Sequence, residues 1–163
     1  MAVPEYQPGE PIPSADANNW WVPLAAVATS TQSQTSNTAL TDDTVLFVSV
    51  HADATYEVRL HLVFQGGAGG QDVTMNLTGP SGASGSFSNS LNSDSEIPLN
   101  SGVSIAFALP TVGSGVSQVM DLFGVLVTGA TAGTFQFQWA QANSSGTAMI
   151  REPRSAMVLR RIA

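Results

Sequence analysis

Between Thr55 and Phe64 every second residue is large and apolar: Tyr56, Val58, Leu60, Leu62 and Phe64, with Thr55, Glu57, Arg59 and His61 among the residues between them. A period of two belongs to a strand with one buried face and one wet face. A helix would return its apolar groups every three or four residues. The same period recurs at Val73, Met75 and Leu77, at Val103, Ile105, Phe107 and Leu109, and at Phe135, Phe137 and Trp139. Thr44–Val50, Thr147–Ile150 and Ser155–Ile162 read as further strands, rich in β-branched or apolar residues. No ten-residue window shows a helical stripe.

Glycine and serine punctuate these runs, at Gln65–Gly70, Gly113–Gly115, Gly129–Gly133 and Asn143–Gly146. Short strands separated by such turns predict an all-β fold. The expected architecture is an antiparallel β-sandwich of about eight strands, jelly-roll-like in its connections, with an extended N-terminal arm. The runs at 55–64 and 73–78 are expected to pair as a hairpin across the glycine-rich turn. Gly79–Ser95 is a long stretch of small residues, with Phe87 and Leu91 as its only large apolar groups and room for one weak strand within a surface loop. Val119–Thr128 is apolar on both faces, which predicts a central strand or one covered by a partner.

The arm is read from proline. Pro4, Pro8, Pro11 and Pro13 fall among three acids, Glu5, Glu10 and Asp16, and few apolar groups. Such a segment stays extended and builds no core. Trp20 and Trp21 end it. The predicted organisation is an arm and anchor over residues 1–26 and a β-sandwich over 27–163. Pro11, Ile12, Trp20 and Trp21 are the candidate anchor residues towards a partner. The alternative is that the tryptophans lid the core of their own domain.

Charged residues make up only 10% of the chain, against about 25% in ordinary globular proteins. There is no lysine; the basic residues are Arg59, Arg151, Arg154, Arg160 and Arg161. Interfaces are depleted in lysine and enriched in arginine, although a genome poor in lysine gives the same pattern. The net charge of −7 is segregated. Residues 1–150 hold eleven acids and one Arg, whereas 151–163 hold four Arg and Glu152. The acidic bulk argues against nucleic-acid binding. Arg151, Arg154, Arg160 and Arg161 form a candidate partner-binding cluster, suited to an acidic neighbour such as the N-terminal part of another copy.

Catalysis needs convergent titratable groups, and few are available. His51 and His61 have Asp53 nearby but no third ligand in sequence, so two surface histidines are expected rather than a metal site. Asp42 and Asp43 are adjacent and would point to opposite faces of a strand. Gly82-Ala83-Ser84-Gly85-Ser86 lacks the last glycine of a nucleophile elbow. There is no cysteine for a thiol nucleophile or a zinc-thiolate site. The expectation is a non-enzyme without cofactor or metal. A sugar site would draw on Tyr6, Trp20 and Trp21, but the other aromatics mostly alternate inward. The start is acidic and proline-rich, unlike a signal peptide, and Trp20–Ala28 is too short to span a membrane. Synthesis in the cytoplasm, with no membrane partner, is expected.

Three stretches carry a resemblance. Leu40-Thr41-Asp42-Asp43-Thr44 leads to Ala52-Asp53-Ala54-Thr55-Tyr56-Glu57-Val58; Phe135 to Gln141 is followed by a Ser/Gly turn; and the chain ends Ser155-Ala156-Met157-Val158-Leu159-Arg160-Arg161-Ile162-Ala163. Together they resemble a β-sandwich module in virion structural proteins of tailed phages, especially those infecting actinobacteria. The resemblance covers about a third of the chain and includes no catalytic signature. It implies a capsid decoration or minor capsid protein at the capsid surface, bound to the major capsid protein and commonly a homotrimer. A minor tail or fibre-tip module binding a host receptor or glycan is the alternative; the lack of a repetitive shaft favours the capsid.

Overall fold

The computed structural model of the chain describes residues 22–66, 72–89, 97–99, 105–107 and 116–163. The four anchor candidates Pro11, Ile12, Trp20 and Trp21 lie outside these residues, as do most of the glycine-rich turn after Gln65 and the ends of the expected strand at 103–109.

The described residues form two antiparallel sheets and no helix. The strands are β1 (Leu24–Val27), β2 (Gln32–Gln34), β3 (Thr41–Val50), β4 (Thr55–Gln65), β5 (Val73–Thr78), β6 (Ser84–Asn89), β7 (Ile97–Pro98), β8 (Ile105–Phe107), β9 (Ser117–Val127), β10 (Gly133–Gln141), β11 (Met149–Arg151) and β12 (Ala156–Arg161). The large sheet runs β1-β12-β4-β9-β6-β7, with β11 bridging β2 and β4; the small sheet runs β3-β10-β5-β8.

The pairing is nested. β1 pairs β12, β3 pairs β10, β4 pairs β9 and β5 pairs β8, all antiparallel. That is one long hairpin, first strand with last and inwards to the middle. Rolling it up brings β12 beside β4 and β10 beside β5. Two four-stranded layers, β1-β12-β4-β9 and β3-β10-β5-β8, result from the roll, and this is a jelly roll. β6 and β7 extend the large sheet beyond β9.

Two details differ from expectation. β4 and β5 do not form a hairpin: β4 lies between β12 and β9, and β5 lies in the other sheet. Alternation fixes which face of a strand is buried but not which strand sits beside it. The sandwich also starts earlier, because Leu24–Val27 pairs with Leu159–Ala156.

Alternation becomes burial as the periodicity requires. Tyr56, Val58, Leu60, Leu62 and Phe64 point inward from the large sheet, and Phe135, Phe137 and Trp139 meet them from the small one, all fully buried. Trp139 packs edge-on to Phe64 with ring centroids 5.2 Å apart, a favoured aromatic geometry. Phe87, from the weak strand β6, lies 5.8 Å from Phe135. Gly124 makes room for it: a Cβ there would stand 2.4 Å from the Phe87 ring and 2.3 Å from the Ser86 carbonyl oxygen.

β3 carries a wide bulge. Phe47 pairs with Gln136 and Asp42 with Gln138, so four residues of β3 stand opposite Phe137 alone. The bulge frees backbone groups from the ladder, and side chains take them up. The Asp43 carboxylate accepts the N–H groups of Val45 and Leu46, each at 2.9 Å. The Gln136 amide donates to the Asp43 carbonyl at 2.9 Å.

Candidate interaction surface

The outer face of the large sheet is built by the residues that alternate away from the core. On β9 these are Val119, Asp121, Phe123, Val125 and Val127. The four apolar ones are 48%, 44%, 43% and 43% exposed, so the strand that is apolar on both faces buries only one. Across the register, Asp121 stands by His61, Phe123 by Arg59, Val125 by Glu57 and Val127 by Thr55. On the far side of β4, Ala156, Val158 and Arg160 stand opposite His61, Arg59 and Glu57. Val27 on β1 adds another exposed apolar group at that edge. Two apolar margins thus flank a charged middle.

The charges of the middle are paired with each other. Glu57 accepts from Arg59 at 2.8 Å and pairs with Arg160 at 2.7 Å. The Arg59 hydrogen bond, with the nearby Arg160 charge in support, holds the Glu57 carboxyl below its ordinary range against partial desolvation. His61 Nδ1 lies 2.7 Å from Asp121 Oδ1. Two shallow depressions lie along this strip. One is lined by Pro23, Glu57, Arg59, Val158 and Arg160, the other by residues from Arg59 to Phe123, including His61 and Asp121. One carboxylate serves two exposed guanidiniums, which leaves the Pro23 end of the face with a net positive charge.

The C-terminal arginines do not form one cluster. Arg160 belongs to this face, and Arg161 donates to the Ala163 carbonyl at 3.2 Å. Arg154 pairs with Glu152 at 2.7 Å in the turn before β12. Glu152 also accepts the Ser117 hydroxyl, and that bond, with Arg154 in support, lowers its carboxyl below the ordinary range. Arg151 departs furthest from the expected surface cluster. Its side chain is fully buried, in an ion pair with Asp43, and is not on a surface that a partner can reach. Its parity on β11 with the buried Met149 was the signal in the sequence. Asp42 and Asp43 do point apart: Asp42 is exposed and accepts from Gln138 at 2.7 Å, while Asp43 faces the core.

The two histidines are not brought together into a site. The His51 backbone N–H donates to the Tyr56 hydroxyl at 3.0 Å, and its carbonyl accepts from Thr128. Among the described residues no three His, Asp or Glu side chains are grouped to hold a metal. The fold and the surface together define an antiparallel jelly-roll sandwich in which, among the described residues, one sheet face is half apolar and exposed.

No family model matches this chain, and no curated protein is similar to it. Among solved structures it is similar to "Structure of infectious bursal disease virus Gx strain", with a TM-score of 0.27 and 9% identity over 85% of this chain and 40% of that one. It is also similar to "Crystal structure of infectious bursal disease virus VP2 subviral particle", with a TM-score of 0.25 and 12% identity over 86% of this chain and 42% of that one. The chain spans about 40% of the length of the solved chains it matches. TM-scores of this size do not define a shared fold.

Proposed function

We propose that this chain is a non-enzymatic structural protein of a virion: a capsid decoration or minor capsid protein that binds the lattice of the major capsid protein and assembles as a homotrimer. The observation that carries the reading is the exposed column Val119, Phe123, Val125 and Val127 on β9. Contiguous exposed apolar area on a rigid sheet marks a contact surface. Burying it returns about 25 cal/mol per Å², less the cost of association.

Other observations support it. The body is a jelly roll, an architecture that recurs in capsid proteins and equally in lectins and cupins, so the site must decide. Here the open face offers apolar contact beside a strip of charged side chains. The three stretches that resemble phage virion modules fall on the start of β3 and the turn into β4, on β10, and on β12 with its flanking residues, all within the sandwich. A surface without lysine suits a protein that spends its life packed against neighbours.

The test is to mix purified protein with capsid particles lacking decoration and measure bound copies per particle. Saturable binding that falls when Phe123 and Val125 are changed to serine is expected. Binding to host cells or glycans, with no occupancy of the capsid, would replace the proposal with the tail-module reading.

A further inference from the structure

The open face has a specific candidate to fill it. We propose that residues 1–21 of a neighbouring copy lie across the outer face of the large sheet, so that copies are joined arm to face around a closed ring. The inference deepens the homotrimer reading above and rests on it.

Val22 leads into Pro23, which itself lines the depression formed with Glu57, Arg59, Val158 and Arg160. β1 is the edge strand of the large sheet. Each arm therefore departs from the rim of the face that would receive one.

From β1 to β9 is three strand spacings, about 14 Å, which four extended residues cross. Twenty-one residues precede Val22, and extended they reach about 70 Å. A chain of this size has a radius of gyration of about 15 Å. The arm is several times longer than its own face requires and long enough to span a neighbour.

Residues 1–21 contain Glu5, Glu10 and Asp16 and no basic residue. The receiving end of the face presents Arg59 and Arg160, whose side chains are 65% and 64% exposed and share the single carboxylate of Glu57. Arginine also accepts aromatic rings on its planar face. Tyr6, Trp20 and Trp21 supply the rings and Ile12 an aliphatic group, while Val158 and Phe123 flank the arginine strip. The sequence and the face match in sign and in apolar character.

Arm on face is a contact between two different patches of the same molecule. Such heterologous contacts close into rings when the rotation permits, whereas a face packed on its own copy gives a two-fold dimer. A trimer needs a contact of the first kind.

The experiment reverses charge on one patch at a time in the full-length protein. One variant carries Glu5→Arg, Glu10→Arg and Asp16→Arg; the other carries Arg59→Glu and Arg160→Glu. Arg59→Gln with Arg160→Gln serves as a milder form should three neighbouring carboxylates disturb the fold, which circular dichroism reports. Mass is measured by light scattering from micromolar to submillimolar protein. Each variant alone is expected to lose self-association at least tenfold, and the milder face variant to lose it in part. An equal mixture of the two reversed variants is expected to associate again, in complexes that contain both chains; a mixed ring of three keeps two of its three arm-to-face contacts matched in charge. Association within the mixture requires that an arm reach another copy's face. A mixture that stays monomeric, or single variants that assemble like the unmodified protein, would overturn the proposal. So would an unmodified protein that is monomeric throughout, and that result would leave the capsid reading standing on its own measurement of particle occupancy.

Discussion

Arg151 and Asp43 lie 108 residues apart and on opposite sheets, yet they meet side-on with neither side chain exposed to solvent. Arg151 Nε donates to Asp43 Oδ2 at 2.7 Å and its Nη2 to Oδ1 at 3.1 Å, while Nη1 donates to the Ser30 carbonyl at 2.6 Å. The same carboxylate closes the bulge of β3 through the N–H groups of Val45 and Leu46. The pair therefore links β11 of the large sheet to the irregular stretch of β3 in the small one. Desolvation offsets much of the Coulomb attraction in such a pair, whereas removing one partner leaves the other buried and uncompensated.

Breaking the pair from one side tests that account. Asp43→Ala leaves a buried guanidinium without its partner and frees two backbone donors, and the expected loss is about 3–5 kcal/mol. Arg151→Met alone strands the carboxylate but leaves its two backbone donors, and should cost less. The double variant should be more stable than additivity predicts, because no charge remains buried. Urea unfolding of the four proteins in a double-mutant cycle gives the coupling; additive losses would show that the pair does not act as a unit.

Gly124 is a second point of strict fit. The β6 backbone and the Phe87 ring occupy the space that any side chain at 124 would need. Gly124→Ala should destabilise the protein by about 1–3 kcal/mol through overpacking. Combining it with Phe87→Leu should recover part of that loss, since a smaller side chain relieves the ring contact but not the Ser86 carbonyl. Thermal unfolding of the single and double variants measures the difference.

The fold was legible in the sequence to the extent that burial is periodic. Tyr56 to Phe64 and Phe135 to Trp139 announce two core strands facing each other, because a strand shows its buried face in every second residue. The same periodicity says nothing of partners, and so β5 was expected beside β4 when it lies beside β10. Short β2 and β7 were hard to read because two or three residues carry no period. Of the surface, the two-faced character of Val119–Thr128 was visible, since Val119, Phe123, Val125 and Val127 occupy outward positions where polar residues usually stand. The role of Arg151 was hidden by its neighbours in sequence: four arginines in thirteen residues look like a patch until strand parity turns one of them inward.

Acid should loosen the turn between β11 and β12. Glu152 has its carboxyl lowered by the Ser117 hydroxyl and then by Arg154. A group lowered in the folded state favours folding above its unfolded value, and that contribution is lost as pH falls through the folded value. Glu152→Gln should therefore reduce stability near neutral pH by less than about 1 kcal/mol, as for other largely superficial pairs. The difference from the unmodified protein should shrink towards zero at strongly acidic pH. Urea midpoints measured from neutral to acidic pH decide it; a difference that stays constant would assign the effect to something other than the carboxylate charge.

The outer column of β9 separates assembly from stability. Phe123 and Val125 are each more than two-fifths exposed, and their neighbours across the register are the charged Arg59 and Glu57. Changing both to serine removes apolar surface that the isolated chain leaves in water. Exposed substitutions of this kind stay within about 0.5 kcal/mol of neutral in folding. In an interface the same two side chains are central and aromatic or branched, and truncation of such groups typically costs upwards of 1 kcal/mol each. The double variant should therefore unfold at nearly the same urea concentration as the unmodified protein when both are dilute. Its self-association and its occupancy of capsid particles should fall at least tenfold. The inward neighbours Leu122 and Leu126, fully buried on the same strand, provide the contrast: Leu122→Ala should cost about 2–5 kcal/mol in folding, because the cavity it leaves lies in the core. Equal losses of stability from the outer and inner substitutions would mean that the outer face is covered within the isolated chain, and that the contact surface lies elsewhere.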